Sequence, residues 1–348
     1  MSETFAKLAP LHWQALVAEA IRRRKYEKLT QREHAALAGV SIPTIVAFDR
    51  GETTLTLSKA FDILRVVGLV EETVDGGTQG TFVQEAHARW RALTSTLPED
   101  SPIRFPNGWY RIDYALKGNL RRVGLSELET ILDKAELPHT GWPAFLVPRR
   151  GFDTQVKEVN GCLECWYGDQ ANVVNRMGPD AAHSDYWCAA PAGRMVLIRG
   201  YQEDSQETFK PRTLFDPVLV IWRLGEALLH AARMSKLLAA DQLLSSEEPG
   251  IQVHFRALYT GLSGRILRAW SNPMSELLIE GGAARSDEAM LEAIVPADKI
   301  EKTLAGLLTP MLFSLYERFG VTGLPMSRVE HEVERLRNSQ VRTDKMPR

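Results

Sequence analysis

The sequence predicts an α+β protein with a small, all-α N-terminal domain and a larger, mixed α+β C-terminal domain. Apolar residues recur at helical spacing through the first 70 residues, and a polar, glycine-rich stretch follows at 71–81. Beyond it, short segments of alternating apolar residues are interleaved with long helical patterns. A chain of 348 residues, 44% of them hydrophobic, is long enough for two domains and a sizeable core.

The composition also predicts where these domains begin and end. We expect the N-terminal domain at 1–72, a flexible linker at 73–82, the C-terminal domain at 83–338 and a flexible tail at 339–348.

Net charge gives little indication of a partner, because the formal net charge is −2 and residues 1–72 contain ten basic and nine acidic side chains. A local cluster, Arg22 to Lys25, lies at the end of the first predicted helix and could attract a polyanion. It could equally be a solvated helix end, where cations interact favourably with the helix dipole.

Targeting signals and membrane spans are not evident in the sequence. The N-terminus lacks a charged-then-apolar pattern, and no apolar run reaches the length of a membrane span. Three cysteines, a small and odd number, fit a reducing compartment. We therefore expect a cytoplasmic protein without a membrane partner.

Residues 30–51 predict two short helices joined by a tight turn. Thr30 and Glu33 form a capping box, so a helix should begin there. Ala35 is small enough to let the two helices cross closely. Gly39 suits the left-handed turn that ends the first helix.

The second short helix is predicted to begin at Ser41, which can cap it, while Pro43 is tolerated in the first turn. Its apolar side comprises Val40, Ile45 and Phe48, and Gly51 ends it. Helical stripes flank the pair, formed by Trp13, Leu16, Val17, Ala20 and Ile21 before it and by Leu57, Phe61 and Leu64 after it.

This spacing resembles the helix-turn-helix of the Cro and lambda-repressor family, also called XRE-type regulators, over roughly residues 9–70. The sequence Asp49-Arg50-Gly51 is close to the family's usual Glu-Arg-Gly. The resemblance implies a lambda-repressor-like fold whose second helix lies in the DNA major groove. The alternative is a helical hairpin inside an ordinary core.

The resemblance also implies which residues touch double-stranded DNA. Phosphate contacts fall on Gln31, Ser41 and Arg50, and base-edge positions fall on Ile42, Pro43, Val46 and Ala47. The nearest polar candidates for base contact are Thr44 and Gln31.

Here the sequence departs from the family, whose members commonly have Gln, Arg, Ser or Asn at several base-facing positions. Apolar side chains cannot form bidentate hydrogen bonds to bases, although they can contact thymine methyl groups. Specificity would then depend on those methyl groups, on DNA shape or on an arm such as residues 1–8. Alternatively, the motif packs on protein. His34 replaces an aliphatic residue of the family, and we expect it to be a half-buried core histidine.

The C-terminal domain shows a longer series of patterns. Helices are predicted at 82–96, 218–240, 252–270, 298–319 and 326–338, with another opened by a capping box of Ser126 and Glu129 and ending near Ala135. Strand-like segments occur at 110–114, 142–147, 156–166 and 194–201, and a loop at 97–108.

Cys162, Cys165, His183 and Cys188 include the ligand types of a zinc site. Residues three apart on a strand point to opposite faces, so we expect structural thiols and no bound metal.

Glu203 and Asp204 follow a predicted strand and could join His183 and Asp185 in a hydrolytic site. Without a metal motif or a nucleophile elbow, loop solvation or helix capping is the expected role. We predict no catalytic residues, no cofactor and no enzymatic activity.

The runs 140–145, 200–205 and 315–319 resemble a region found downstream of Alba/Schlafen-type DNA-binding modules in bacterial proteins. The resemblance implies a bacterial C-terminal domain that is combined with different DNA-binding modules.

Together these features predict a homodimeric, sequence-specific transcriptional regulator with a C-terminal assembly or sensing domain and an unknown effector. The helices at 218–240 and 298–319 are the candidate dimer contacts. Two alternatives remain open: a DNA-targeted nuclease or hydrolase in the C-terminal domain, and a protein-interaction scaffold that does not bind DNA.

Overall fold

The computed structural model describes residues 12–70, 79–137, 139–148, 154–168, 181–205, 209–240, 250–271 and 279–339. These residues form a mixed α+β structure with a large antiparallel sheet, as the sequence predicts. The chain divides into two compact units, Met1–Gln84 and Glu85–Arg348. Most of the predicted linker and of the predicted tail lies outside the described residues.

The smaller unit contains four helices before the start of a fifth: α1 (Trp13–Tyr26), α2 (Gln31–Ala38), α3 (Ile42–Asp49) and α4 (Leu57–Val66). Helix α2 packs on α3 and α4, and α3 packs on α1. The core they enclose includes Val17, Ala35, Ile45, Phe48 and Leu64. One residue of the predicted stripes departs from this pattern, because Leu57 is 65% exposed and Ile63 lies in the core instead.

Helix α5 (Gln79–Thr94) contains the boundary between the two units. It begins three residues before the predicted start at 82, within the predicted linker, and its residues Phe82, Ala86 and Trp90 are buried as one stripe.

The larger unit is built on a seven-stranded antiparallel sheet in the order β2-β3-β4-β5-β1-β7-β9. Its strands are β1 (Trp109–Lys117), β2 (Lys157–Val159), β3 (Cys162–Trp166), β4 (Asp185–Ala190), β5 (Arg194–Gly200), β7 (Gln252–Tyr259) and β9 (Ala289–Pro296). Strands β6 (Leu214–Phe215) and β8 (Ile266–Leu267) form a short parallel pair beside it.

Four helices pack together in this unit: α6 (Leu125–Ala135), α7 (Pro217–Leu238), α8 (Ala297–Tyr316) and α9 (Met326–Asn338). Helix α7 packs on β1 and β7, and α6, α8 and α9 pack on α7. The helix-facing side of β1 carries Tyr110, Ile112 and Tyr114, which are all in the main core. Helices α7 and α8 supply much of this core, and dimer contacts through them stay a prediction for their exposed residues.

The opposite face of the sheet buries charged side chains in pairs. Arg111 and Asp113 are both fully buried, with Arg111 Nε 2.8 Å and Arg256 Nε 2.9 Å from the two carboxylate oxygens of Asp113. The C-terminal half of α5 reaches this face, where Arg89 donates to the buried carboxylate of Glu164. Each buried carboxylate of this face therefore has at least one arginine partner, which reduces the cost of burying its charge.

The main error of the sequence analysis concerns residues 252–270, which form strands β7 and β8 and not a helix. Alternate residues of β7 are buried, from Val253 and Phe255 to Ala257, which is the period of a strand. Strands β4, β6 and β9 were also not predicted from the sequence.

Two smaller errors concern local structure. The predicted strand at 142–147 is a loop whose apolar side chains are nevertheless buried, with Phe145 in the left-handed region at φ 58°. The predicted capping box of Ser126 and Glu129 does not form, since α6 is capped by Gly124 without a side-chain bond.

Within the described part of the chain, no helix is long and apolar enough to cross a membrane.

Candidate nucleic-acid interface

The turn between α2 and α3 has the geometry that its residues predict. Thr30 and Glu33 form a reciprocal capping box at the start of α2. Gly39 ends the helix in the left-handed conformation, with φ 68° and ψ 29°, where a Cβ atom would be strained. Ser41 caps α3, and its side chain lies 2.9 Å from the hydroxyl of Thr44.

The buried residues of α3 determine which of its sides faces outward. Ile45 and Phe48 are fully buried, and the ring of Phe48 meets Trp13 of α1 edge to face at 5.4 Å. The opposite side of α3 therefore faces outward, with Pro43 and Arg50 exposed.

The remaining predicted contact residues of α3 are less accessible. Ile42 and Val46 are half-buried and pack against the core of the smaller unit. Thr44 and Ala47 are also half-buried. The outward surface of α3 is therefore narrower and less apolar than the sequence alone indicates. It comprises Pro43, Thr44, Ala47 and Arg50.

A buried ion pair connects α1 to the end of α3. The guanidinium of Arg24 donates to both carboxylate oxygens of Asp49, at 2.8 and 2.7 Å. The amide of Gln31, the first residue of α2, donates to the same carboxylate. Asp49 thus connects α1, α2 and α3, and it positions Gln31 at the edge of the outward surface.

Sequence reasoning missed this network. Arg24 appeared to belong to a basic cluster, and its spacing in α1 places it on the same face as Val17 and Ala20. That spacing was the available signal, since a basic residue within an apolar stripe requires a buried partner.

The cluster of Arg22 to Lys25 is mainly structural. Arg22 and Arg23 both donate to Glu19, and this pairing holds the pKa of the Glu19 carboxyl at about 2. Arg23 also donates to two carbonyls at the end of α4. Of the cluster, Lys25 is exposed together with Arg22. Within residues 12–70 and 79–84, the exposed basic residues are Arg22, Lys25, Lys28, Arg32, Arg50 and Lys59, and the exposed acidic residues are Glu27 and Glu52.

His34 is a fully buried histidine rather than a half-buried one. Its Nε2 lies 2.9 Å from the carbonyl oxygen of Ile63, which ties α2 to α4. Burial lowers its pKa below the usual value, so the ring is neutral near pH 7.

The four residues that include the ligand types of a zinc site do not converge. Cys162 and Cys165 lie on β3 and point to opposite faces, and the free thiols of Cys188 on β4 and Cys162 are hydrogen-bonded to each other. Burial raises the pKa of the Cys165 thiol to about 12. In the described ranges, no group of three or more His, Cys, Asp or Glu side chains could hold a metal ion.

The acidic residues of the alternative hydrolytic site are engaged separately. Asp185 pairs with Arg199, and Asp204 accepts two bonds from Arg265 at 2.9 and 2.6 Å. Glu203 accepts the backbone N–H of Asp216 at 2.7 Å. The ring of His183 packs edge-on against Trp142, with the ring centroids 5.1 Å apart.

Comparison of the chain with models of protein families, with curated proteins and with solved structures gives no match.

Proposed function

We propose that the smaller unit is an XRE-type, lambda-repressor-like helix-turn-helix domain, and that the protein is a sequence-specific DNA-binding transcriptional regulator. The observation that supports this most is the α2–α3 pair with its outward-facing side. Capping of both helices, the left-handed Gly39 and the burial of Ile45 and Phe48 leave one side of α3 facing outward. That side comprises Pro43, Thr44, Ala47 and Arg50.

The chemistry of this surface suits phosphate contacts better than direct base readout. Arg50 is 71% exposed at the end of α3, and its nearest acidic group, on Glu52, is 3.9 Å away. Such a side chain can move to a phosphate at little cost, because an exposed ion pair at that distance contributes little. The side-chain amide of Gln31, in contrast, already donates to Asp49, so it could contact a phosphate only while also keeping or giving up that hydrogen bond.

Base contacts in this proposal come from Thr44, Pro43 and Ala47. The hydroxyl of Thr44 can turn from Ser41 to a base edge, and Pro43 and Ala47 can contact thymine methyl groups. One such surface offers few directional bonds. We therefore infer that the protein binds as a homodimer on two half-sites, about one helical turn apart, which makes the second contact effectively intramolecular.

A selection of genomic fragments by the full-length protein, followed by fluorescence anisotropy on the enriched sequence, tests this function. We expect an enriched motif with two half-sites and a dissociation constant below the non-specific range of ~10⁻⁴–10⁻⁶ M at physiological salt. Thr44→Ala should change the preferred bases within a half-site. No enrichment over random fragments would refute the proposal, and cleavage of the fragments in Mg²⁺ would favour the nuclease alternative.

A further inference from the structure

The larger unit contains a cleft at one end of the sheet, beside the first turns of α7. Antiparallel register aligns Arg199, Tyr110 and Tyr259 side by side across β5, β1 and β7. All three line the cleft, together with Arg223 of α7 and Glu203 of the loop after β5. We name it the Arg223 cleft. It holds about 20 Å³, enough for one or two water molecules or the terminal group of a small ligand.

Two side chains of this cleft carry hydrogen-bond donors that no described residue accepts. The hydroxyl of Tyr259 is buried and makes no hydrogen bond in the described part of the protein, although the residue is only 2% exposed. Arg223 uses one nitrogen, Nη1, to donate to Thr140 Oγ1 at 2.7 Å and to the carbonyl of Trp142 at 2.6 Å. No described residue accepts from its Nε or Nη2. A buried donor without an acceptor is costly, so the Tyr259 hydroxyl favours a ligand that accepts hydrogen bonds, and the remaining nitrogens of Arg223 can donate to the same ligand.

The charges of the cleft favour an anion. Arg199 is neutralised by the bidentate carboxylate of Asp185. Arg223 is only loosely neutralised, because Glu226 lies 4.0 Å away and its carboxylate accepts bonds from Thr140 and from the backbone of Ala144. Arg223 is therefore the guanidinium of the cleft with the most charge available for an anion.

Glu203 is the acidic residue that lines the cleft, and its ionised form would repel an anion. Its surroundings favour the neutral form. One of its oxygens accepts the N–H of Asp216. Burial first, and then the Asp216 carboxylate, raise its pKa to about 7, against a smaller lowering by Arg265. Near neutral pH its carboxyl group is therefore protonated about half of the time, and in that form it can donate to an oxyanion.

The walls of the cleft beside these polar groups are apolar. Leu219 and Val220 of α7 and Phe215 of β6 line it. A fully hydrated, multiply charged anion would have to be desolvated against these side chains, whereas a short aliphatic chain would be accommodated by them.

We propose that the Arg223 cleft binds the carboxylate of a small aliphatic acid, with Arg223 and Tyr259 as its hydrogen-bond donors. The binding resides in the larger unit and does not depend on the proposed DNA-binding function. It also gives the effector-binding role of this unit a defined location and ligand class.

Isothermal titration of the full-length protein with propionate at pH 6.5, and with inorganic phosphate at the same ionic strength, tests the proposal. For so small a ligand we expect a dissociation constant in the ~mM range. Phosphate should bind at least tenfold more weakly than propionate. No saturable propionate binding, or tighter binding of phosphate, would overturn the carboxylate assignment.

Three variants separate this site from an indirect effect. Tyr259→Phe removes only the unpartnered hydroxyl, so it should leave the melting temperature unchanged or higher and weaken propionate binding at least fivefold. Arg223→Lys should weaken it tenfold or more. Arg233→Gln removes an exposed charge ten residues further along α7 and should bind as the wild type does. Unaltered propionate affinity in Tyr259→Phe, which is expected to fold, would refute the proposal even if Arg223→Lys failed to fold.

Discussion

The substitution Glu203→Gln is predicted to stabilise the protein at alkaline pH and to have little effect in acid. Glu203 is 4% exposed, and its pKa is raised from 4.5 to about 7 by burial and by the neighbouring carboxylate of Asp216. Because the folded protein holds this proton more tightly than the unfolded chain does, the stabilisation it gives is fully present below pH 4.5. It is lost as pH rises through 7.

The magnitude follows from the two pKa values. Between pH 5 and pH 8.5 the wild type should lose roughly 2.5 kcal/mol at this one group, relative to a variant that cannot titrate. The amide oxygen of glutamine can still accept the N–H of Asp216, so that hydrogen bond is retained. For a unit of this size, 2.5 kcal/mol corresponds to a rise in melting temperature of roughly 5 °C at pH 8.5.

Thermal unfolding of both proteins at pH 5, 6, 7 and 8.5, followed by tryptophan fluorescence, measures this difference. Seven of the eight tryptophans lie in the larger unit, so the signal reports on the correct transition. Subtracting the melting temperature of the wild type at each pH removes the contributions of all other titrating groups. The control Glu99→Gln, at an exposed position, should have the melting temperature of the wild type at every pH. A difference between Glu203→Gln and wild type that is the same at pH 5 and pH 8.5 would refute the reasoning.

Four further predictions concern the smaller unit, the cysteines of the larger unit and the assembly. Gly39→Val should cost at least ~1–2 kcal/mol, because a β-branched residue is forced to φ 68°, and should reduce DNA binding in proportion; an unchanged melting temperature would contradict the turn assignment. Arg24→Ala should cost about 3 kcal/mol by leaving the Asp49 carboxylate without a cationic partner, whereas Arg22→Ala, at an exposed pair, should cost much less; equal costs in urea unfolding would contradict the buried network. Elemental analysis of chelator-free protein should find no stoichiometric zinc, and one zinc per chain would show that the thiols rearrange. Light scattering of the full-length protein should give twice the mass of 39.0 kDa, and a monomer at all concentrations would contradict the two-half-site proposal.

The helices and turns of the smaller unit were predicted well because they depend on residues close in sequence. Contacts between residues distant in sequence were missed. Thr30, Gly39 and Ser41 act within four residues of their own position, so their roles follow from the sequence. The Arg24–Asp49 pair joins residues 25 positions apart, and only the crossing of α1 and α3 brings them together. A capping box is likewise only a local pattern, and at Ser126 the packing of α6 favoured a start at Gly124 instead.

The larger unit was harder to predict because its sheet is assembled from distant segments. Strand β7 was predicted as part of a helix, whereas burial alternates over its first six residues. The residues of the Arg223 cleft are brought together by the register of β1 with β5 and β7, which no single stretch of sequence contains. The loop at 142–147 shows the converse, since buried apolar residues such as Phe145 need not lie in a strand.

The salt dependence of DNA binding by wild type and Arg50→Ala tests the proposed DNA-binding function most directly. Arg50→Ala should weaken binding to all sequences about equally and reduce the slope of log K against log salt by about 1 per subunit. Lys236→Ala, which removes an exposed charge of the larger unit, should leave both affinity and slope unchanged. If the wild type binds DNA with a slope that Arg50→Ala does not alter, α3 does not contact the phosphates through Arg50, and the proposed DNA-binding surface is wrong.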